Sequence, residues 1–186
     1  MARPNTSIKF TYKDYKNLPE SETKRYELLG GELIMVPSPT TYHQAISRNL
    51  EYILLKFVQK HNLGFIYDAP CDVVLSDEDV VQPDIFFILK GRSHIITEEN
   101  ISGAPDLIIE ILSPATANRD RTYKHTLYAR YGVQEYWIVD PDKKEVEVMT
   151  LSEKGFKTVA IYKREDVLKS KLLKGLSIDL SEVFSS

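Results

Sequence analysis

Residues 82–124 read QPDIFFILKGRSHIITEENISGAPDLIIEILSPATANRDRTYK, and this stretch decides the fold. It holds two apolar runs that each carry an acid, Asp84 opening the first and Glu110 inside the second. The helix-like segment that follows carries Lys124 on its apolar stripe. An ionised group in an apolar run loses hydration, and it persists only when paired, liganded to a metal or shifted in pKa. Three such groups converging would make a site.

Strand parity tests whether the acids can meet. Asp106, Ile108, Glu110 and Leu112 share one strand face, and Gln82, Asp84, Phe86 and Ile88 share another. If the strands are neighbours and the faces coincide, Asp84 and Glu110 can bracket a hard cation. Oxygen ligands of this kind suit magnesium or manganese, which keep several waters. Alone, Asp84 reads equally well as a strand-start acid after Pro83. Glu110, between Ile109 and Ile111, demands compensation. Lys124 falls with Leu127, Tyr128 and Tyr131 at i, i+3, i+4 and i+7, a stripe that Arg119 and Arg121 fit less well. Directed inward, it would orient an attacking water and stabilise a pentacovalent phosphoryl transition state. The other reading is a stem that packs while the ammonium snorkels to water.

Working outward, the N-terminal side predicts a short helix over 12–18 and then a loop past Pro19. YELLGGEL (26–33) predicts a β-hairpin turning at Gly30-Gly31. A helix starts with Thr41 as N-cap and Gln44 at capping-box spacing. Ile46, Leu50, Ile53, Leu54 and Phe57 give it an apolar face as far as His61, and Asn62 and Gly64 end it. Strand-like runs 65–75 and 80–89 predict an antiparallel pair across the acidic turn 76–79. Residues 106–112 suit a strand buried on both faces. A helix over 118–131 is closed by Gly132. A strand over 133–139, the turn Asp140-Pro141-Asp142, a partner over 145–151, a further strand near 158–162 and LSIDLSEVF complete the chain. The order αβββαβ, with an N-terminal hairpin and a C-terminal β extension, predicts an α/β (α+β) fold with a mixed central sheet flanked by helices.

Length and composition narrow the class. The 186 residues suit a single domain, 1–186, with its core over about 25–151 and the extension over 152–186. The sole cysteine, Cys71, cannot form an internal disulfide, and no Cys/His cluster has zinc spacing, which fits a reducing cytoplasm. The N-terminus lacks an apolar signal region, and no apolar run approaches the roughly 20 residues of a membrane span, so an intracellular protein without membrane partners is expected. A net charge of −3 gives no general nucleic-acid signature. Seven Lys/Arg between 154 and 174 nonetheless leave a local basic face open beside the reading of solvated loops. No Gly-rich phosphate loop supports a nucleotide-binding reading.

Together, YELLGGEL, SPTTYHQAI, VVQPDIFFI, GAPDLIIEILSPAT, a helical lysine and GVQEYWIVDP resemble the Uma-two-type family of bacterial endonuclease-like proteins, a branch of the PD-(D/E)XK restriction-endonuclease-like superfamily. The resemblance covers about residues 25–151. It implies a metal-dependent phosphodiesterase acting on DNA, or on RNA, with Asp84, Glu110 and the main-chain carbonyl of Ile111 ligating Mg2+ or Mn2+. The superfamily's lysine two residues after the third-strand acid is replaced by Leu112, and the resemblance implies that Lys124 has taken its role. A nuclease-fold interaction module without catalysis is the alternative. Glu27 resembles a recurrent acid of the family that could reach the metal through water; a surface hairpin position is the other reading. His43 faces inward as a core or capping histidine that could contact a phosphate. Asp106 suits a strand-start cap, Ser113 a turn before an N-cap at Thr116 or Asn118, and Tyr123, Tyr128, Tyr131, Tyr136 and Trp137 the core. Edge strands in 145–162 make a homodimer an expectation.

Overall fold

The computed structural model describes residues 9–19 and 25–185. The N-terminal leader reading and the loop expected past Pro19 fall at 1–8 and 20–24, outside the described residues. Helix α1 (Tyr12–Lys16) precedes the hairpin β1 (Arg25–Leu29) and β2 (Glu32–Val36), which turns at Gly30-Gly31 as its sequence predicts. Both glycines have positive φ, the backbone that a two-residue hairpin turn requires.

Helix α2 (Thr41–His61) buries Ile46, Leu50, Leu54 and Val58 along one stripe and ends at Asn62 in the left-handed region. Its N-cap is Thr40 rather than Thr41, because Thr40 lies three residues before the free His43 N–H and accepts from it at 3.1 Å.

The two long strands expected after α2 are each split. They form β3 (Gly64–Asp68), β4 (Val73–Val74), β5 (Val80–Val81) and β6 (Ile85–Leu89). Pro70 and Pro83 interrupt them, since a proline cannot donate to a ladder. The antiparallel pair crosses there from one sheet to another, with β3 on β6 in the first and β4 on β5 in the second. Strand β7 (Ile101–Ser102) then joins β4 in parallel.

Strand β8 (Leu107–Ile111) is buried along its whole length. It pairs antiparallel with β6 and parallel with β9 (Glu135–Asp140). A parallel neighbour needs a crossover, here a helix in three parts: α3 (Ala117–Arg119), a π-turn (Asp120–Lys124) and α4 (His125–Arg130). Gly132, at positive φ, closes it. The antiparallel β10 (Glu145–Ser152) and β11 (Gly155–Lys163) extend the sheet, and β12 (Val167–Lys169), β13 (Ser177–Asp179) and α5 (Leu180–Val183) finish the chain.

The six-stranded sheet therefore runs β11-β10-β9-β8-β6-β3, and a second runs β2-β1-β5-β4-β7. One face of the large sheet, through Ile85, Phe87, Ile109 and Trp137, packs on α2 and on the residues after 166. The other, through Phe86, Ile108, Tyr136 and Ile138, packs on the small sheet and α4. No helix among the described residues is long and apolar enough to cross a membrane.

Candidate active site

Pro83 ends the β5 ladder and sets Asp84 at the start of β6. Since Ile85 pairs with Ile109, the next step of that antiparallel register puts Asp84 across from Glu110, as strand parity predicts. Asp84 Oδ2 accepts the Ile111 N–H at 2.7 Å. His43, in the first turn of α2, brings Nε2 to 3.1 Å from the Ile111 carbonyl and 3.3 Å from Asp84 Oδ2. Both neighbours are acceptors, so Nε2 carries the proton. Burial by itself would lower the His43 pKa, but the Asp84 carboxylate and the Ile111 carbonyl outweigh it and raise the value.

Lys124 enters from the other side. Its Nζ donates to Glu110 Oε1 at 2.9 Å and to Glu27 Oε1 at 2.8 Å, and lies 3.6 Å from Asp120 Oδ1. Only 4% of Lys124 and 4% of Glu110 are exposed, so snorkelling is ruled out. Tyr128, one turn after Lys124, donates its hydroxyl to the same Glu110 oxygen at 2.6 Å. Burial lowers the lysine's proton affinity, yet Glu110, Glu27 and Asp120 together raise its pKa well above the ordinary value.

Glu27 is not a surface residue. At 2% exposure its carboxylate is held between Lys124 and the Gln82 N–H, the latter at 3.0 Å. The fold of the small sheet against α4 buries it, and the hairpin pattern alone could not show this. Asp120, unremarked in the sequence, also lines the pocket. Its position four residues before Lys124 on the same stripe was the available signal.

Asp106 points elsewhere: at the far end of β8 it accepts from Leu89 N, Arg92 and Gln134, fastening strand ends together. Ser113 and Thr116 bond each other at 3.1 Å, and Thr116 is the N-cap of α3 without a capping side-chain bond. Tyr128, Tyr136 and Trp137 are core residues, while Tyr123 is 39% exposed.

Glu27, Asp84, Glu110, Asp120 and Lys124 all line one cavity of about 520 Å³, with His43, Arg25 and Arg119 also on its walls. Among the described residues no three His, Cys, Asp or Glu side chains converge as a ligand cluster. A cation here would take two carboxylates, a carbonyl and water, a donor set of the kind magnesium accepts. The Lys124 and Tyr128 contacts both use Glu110 Oε1, leaving Oε2 for such a ligand.

A strand pair carrying opposed acids, a parallel strand reached through a lysine-bearing helix, and an acid-lined cavity between them define a restriction-endonuclease-like, nuclease-like protein. The chain belongs to the Uma2 family, described as "Putative restriction endonuclease", whose profile matches residues 12–181. It is similar to two uncharacterised Synechocystis proteins. One is 26% identical over 132 residues, covering 70% of this chain and 74% of that protein. The other is 22% identical over 177 residues, covering 95% and 92%. The fold matches the crystal structure of a "putative nuclease belonging to DUF820" from Anabaena variabilis, with a TM-score of 0.78 and 23% identity over 94% of this chain and 97% of that one.

Proposed function

We propose that this pocket hydrolyses phosphodiesters of DNA with Mg2+ or Mn2+. The observation that carries this reading is the buried Lys124 ammonium shared between Glu27 and Glu110, beside Asp84, in an open cavity. Asp84, Glu110 and the Ile111 carbonyl would hold the cation. All are oxygen donors, and a buried Glu110 with one unused oxygen gains from a positive ligand. The cation's chemistry is to polarise the phosphodiester and make a water acidic enough to attack it.

The chain's own residues do the rest. The Ile111 N–H and His43 fix Asp84 Oδ2, and Tyr128 and Lys124 fix Glu110 Oε1. With two Lys124 protons committed to Glu110 and Glu27, the third remains for a phosphate oxygen or water. Its fixed charge opposes the negative charge that builds on the phosphoryl oxygens. Lys124 thereby supplies what Leu112 cannot.

The test is purified protein with plasmid and with RNA, in magnesium against chelator, alongside Asp84→Ala, Glu110→Ala and Lys124→Ala. Magnesium-dependent DNA cleavage lost in all three variants is the expected result; full activity in Glu110→Ala sinks the assignment.

Leu112, and a lysine whose charge is already spent on acids, favour a second reading: a nuclease-fold interaction module without catalysis. Absence of magnesium or manganese binding at millimolar concentration would support it. In the hydrolytic reading a homodimer covering the β11 edge would bring two pockets to one duplex, and sedimentation as a monomer removes that arrangement.

A further inference from the structure

Asp120 is the acid that neither strand parity nor the resemblance assigns. It is 98% buried by its 2% exposure, lines the acid cavity, and sits on the π-turn of the crossover helix. Its Oδ1 has no hydrogen-bond partner among the described residues, and the nearest charge, Lys124 Nζ, is 3.6 Å away, outside hydrogen-bond length. Two buried carboxylates elsewhere have both oxygens satisfied: Glu135 accepts from Trp137, Ser170, Lys171 N and Leu172 N, and Asp79 from Gly30 N, Arg130 and Tyr131. A buried acceptor without a donor costs stability, so Asp120 Oδ1, at the wall of the cavity, is matched to a donor that arrives with the substrate. π-Turns recur at functional sites, and this one presents Asp120 and Lys124 side by side.

We propose that Asp120 is a catalytic residue, the general base for the attacking water in phosphodiester hydrolysis, an assignment that rests on the hydrolytic reading above. A water that enters with the substrate accepts the third Lys124 N–H and donates to Asp120 Oδ1, 3.6 Å from that ammonium. In the step, the water's O–H bond breaks and its proton passes to Oδ1. The water oxygen bonds phosphorus, the bond from phosphorus to the leaving sugar oxygen breaks, and that oxygen takes a proton from solvent. Burial raises the Asp120 carboxyl above its ordinary value, with the Lys124 charge and a Thr116 hydrogen bond offsetting part of the rise, and a rise is the direction that strengthens a base.

The experiment measures single-turnover cleavage of a duplex oligonucleotide in magnesium, and binding of the same duplex in calcium, for the wild type, Asp120→Asn and Asp120→Ala. Loss of a general base is expected to cost about 100-fold or more in rate. Binding should change less than about threefold, and added formate should restore cleavage to Asp120→Ala but not to Asp120→Asn, whose amide fills the space. Cleavage by Asp120→Asn at the wild-type rate overturns the assignment, as does parallel loss of binding and rate without formate rescue. A wild type that binds but never cleaves removes the hydrolytic reading and this assignment together, whereas an active wild type with an active Asp120→Asn removes this assignment alone.

Discussion

Glu110 shows how a single residue ties stability to chemistry. Burial lifts its carboxyl well above the usual range; Lys124 offsets part of that, and Asp120, Asp84 and Glu27 add to it. Between the unfolded pKa and the raised folded one, the folded protein therefore holds a proton that the unfolded chain releases. Such a contribution is whole below the unfolded value of about 4.3 and is lost as pH climbs through the folded one. Glu110→Gln deletes this titration. With chelator present, the unfolding free energy of the wild type should fall relative to Glu110→Gln as pH rises from about 4 to about 8. Guanidinium titrations across that range check it, and a difference independent of pH would mean that Lys124 neutralises Glu110 completely. Asp84, Glu110 and Lys124 were legible because each stands out against apolar neighbours at a local period of two or of 3.6. Glu27 was not, since its burial depends on a lysine 97 residues away. The period of an isolated hairpin carries no trace of that partner.

At the scale of elements, helix phase was readable and helix defects were not. The stripe from Lys124 to Tyr131 is satisfied by α4 and its entering residue alone, so nothing in it marks the π-turn before them. The strand breaks at Pro70 and Pro83 were written in the sequence, because a missing donor interrupts any ladder. Gly64 reads locally as a helix stop, but Asn62 already performs that role at φ 52°. What requires Gly64 is its pairing in β3 opposite Leu89, where an added Cβ would lie 2.0 Å from the Ile88 carbonyl oxygen and 2.9 Å from Lys90 N. These are backbone atoms at the end of β6 and just past it, so they cannot yield without moving the ladder. Gly64→Ala is expected to cost at least about 1–3 kcal/mol. Thermal unfolding should register this as a fall of roughly 2–12 °C; an unchanged midpoint would mean that the β3 edge shifts freely.

On the whole-molecule scale the C-terminal residues are part of the core rather than an appendage to it. Leu168, Leu173, Leu176, Ile178, Leu180, Val183 and Phe184 are buried in the same cluster as the α2 stripe and the inner face of the central sheet. Buried Glu135, at the start of β9, holds the segment by accepting from Ser170 Oγ at 2.7 Å and from Lys171 N and Leu172 N at 3.0 Å each. Asn49 of α2 donates to the carbonyls of Glu182 and Val183 at 3.2 Å. The short, polar-spaced pattern of LSIDLSEVF shows an amphipathic end but not what it covers, because the covered surface is assembled from segments spread along the chain from α2 to β10. Seven such side chains, at about 1.5–3 kcal/mol each, represent roughly 10–20 kcal/mol of apolar burial. A domain of this kind has a total margin of about 5–15 kcal/mol. Ordering the segment costs entropy of similar size, so the gross figure is not the net loss; what the truncated chain cannot recover is the apolar cover over α2 and the inner face of the sheet. A chain ending after Glu165 should therefore fail to fold, exposing α2 and, through His43 on its first turn, disordering the acid pocket. Circular dichroism and dye binding to exposed apolar surface check this, and a cooperative unfolding transition near the wild-type temperature would show that residues 25–165 are self-sufficient.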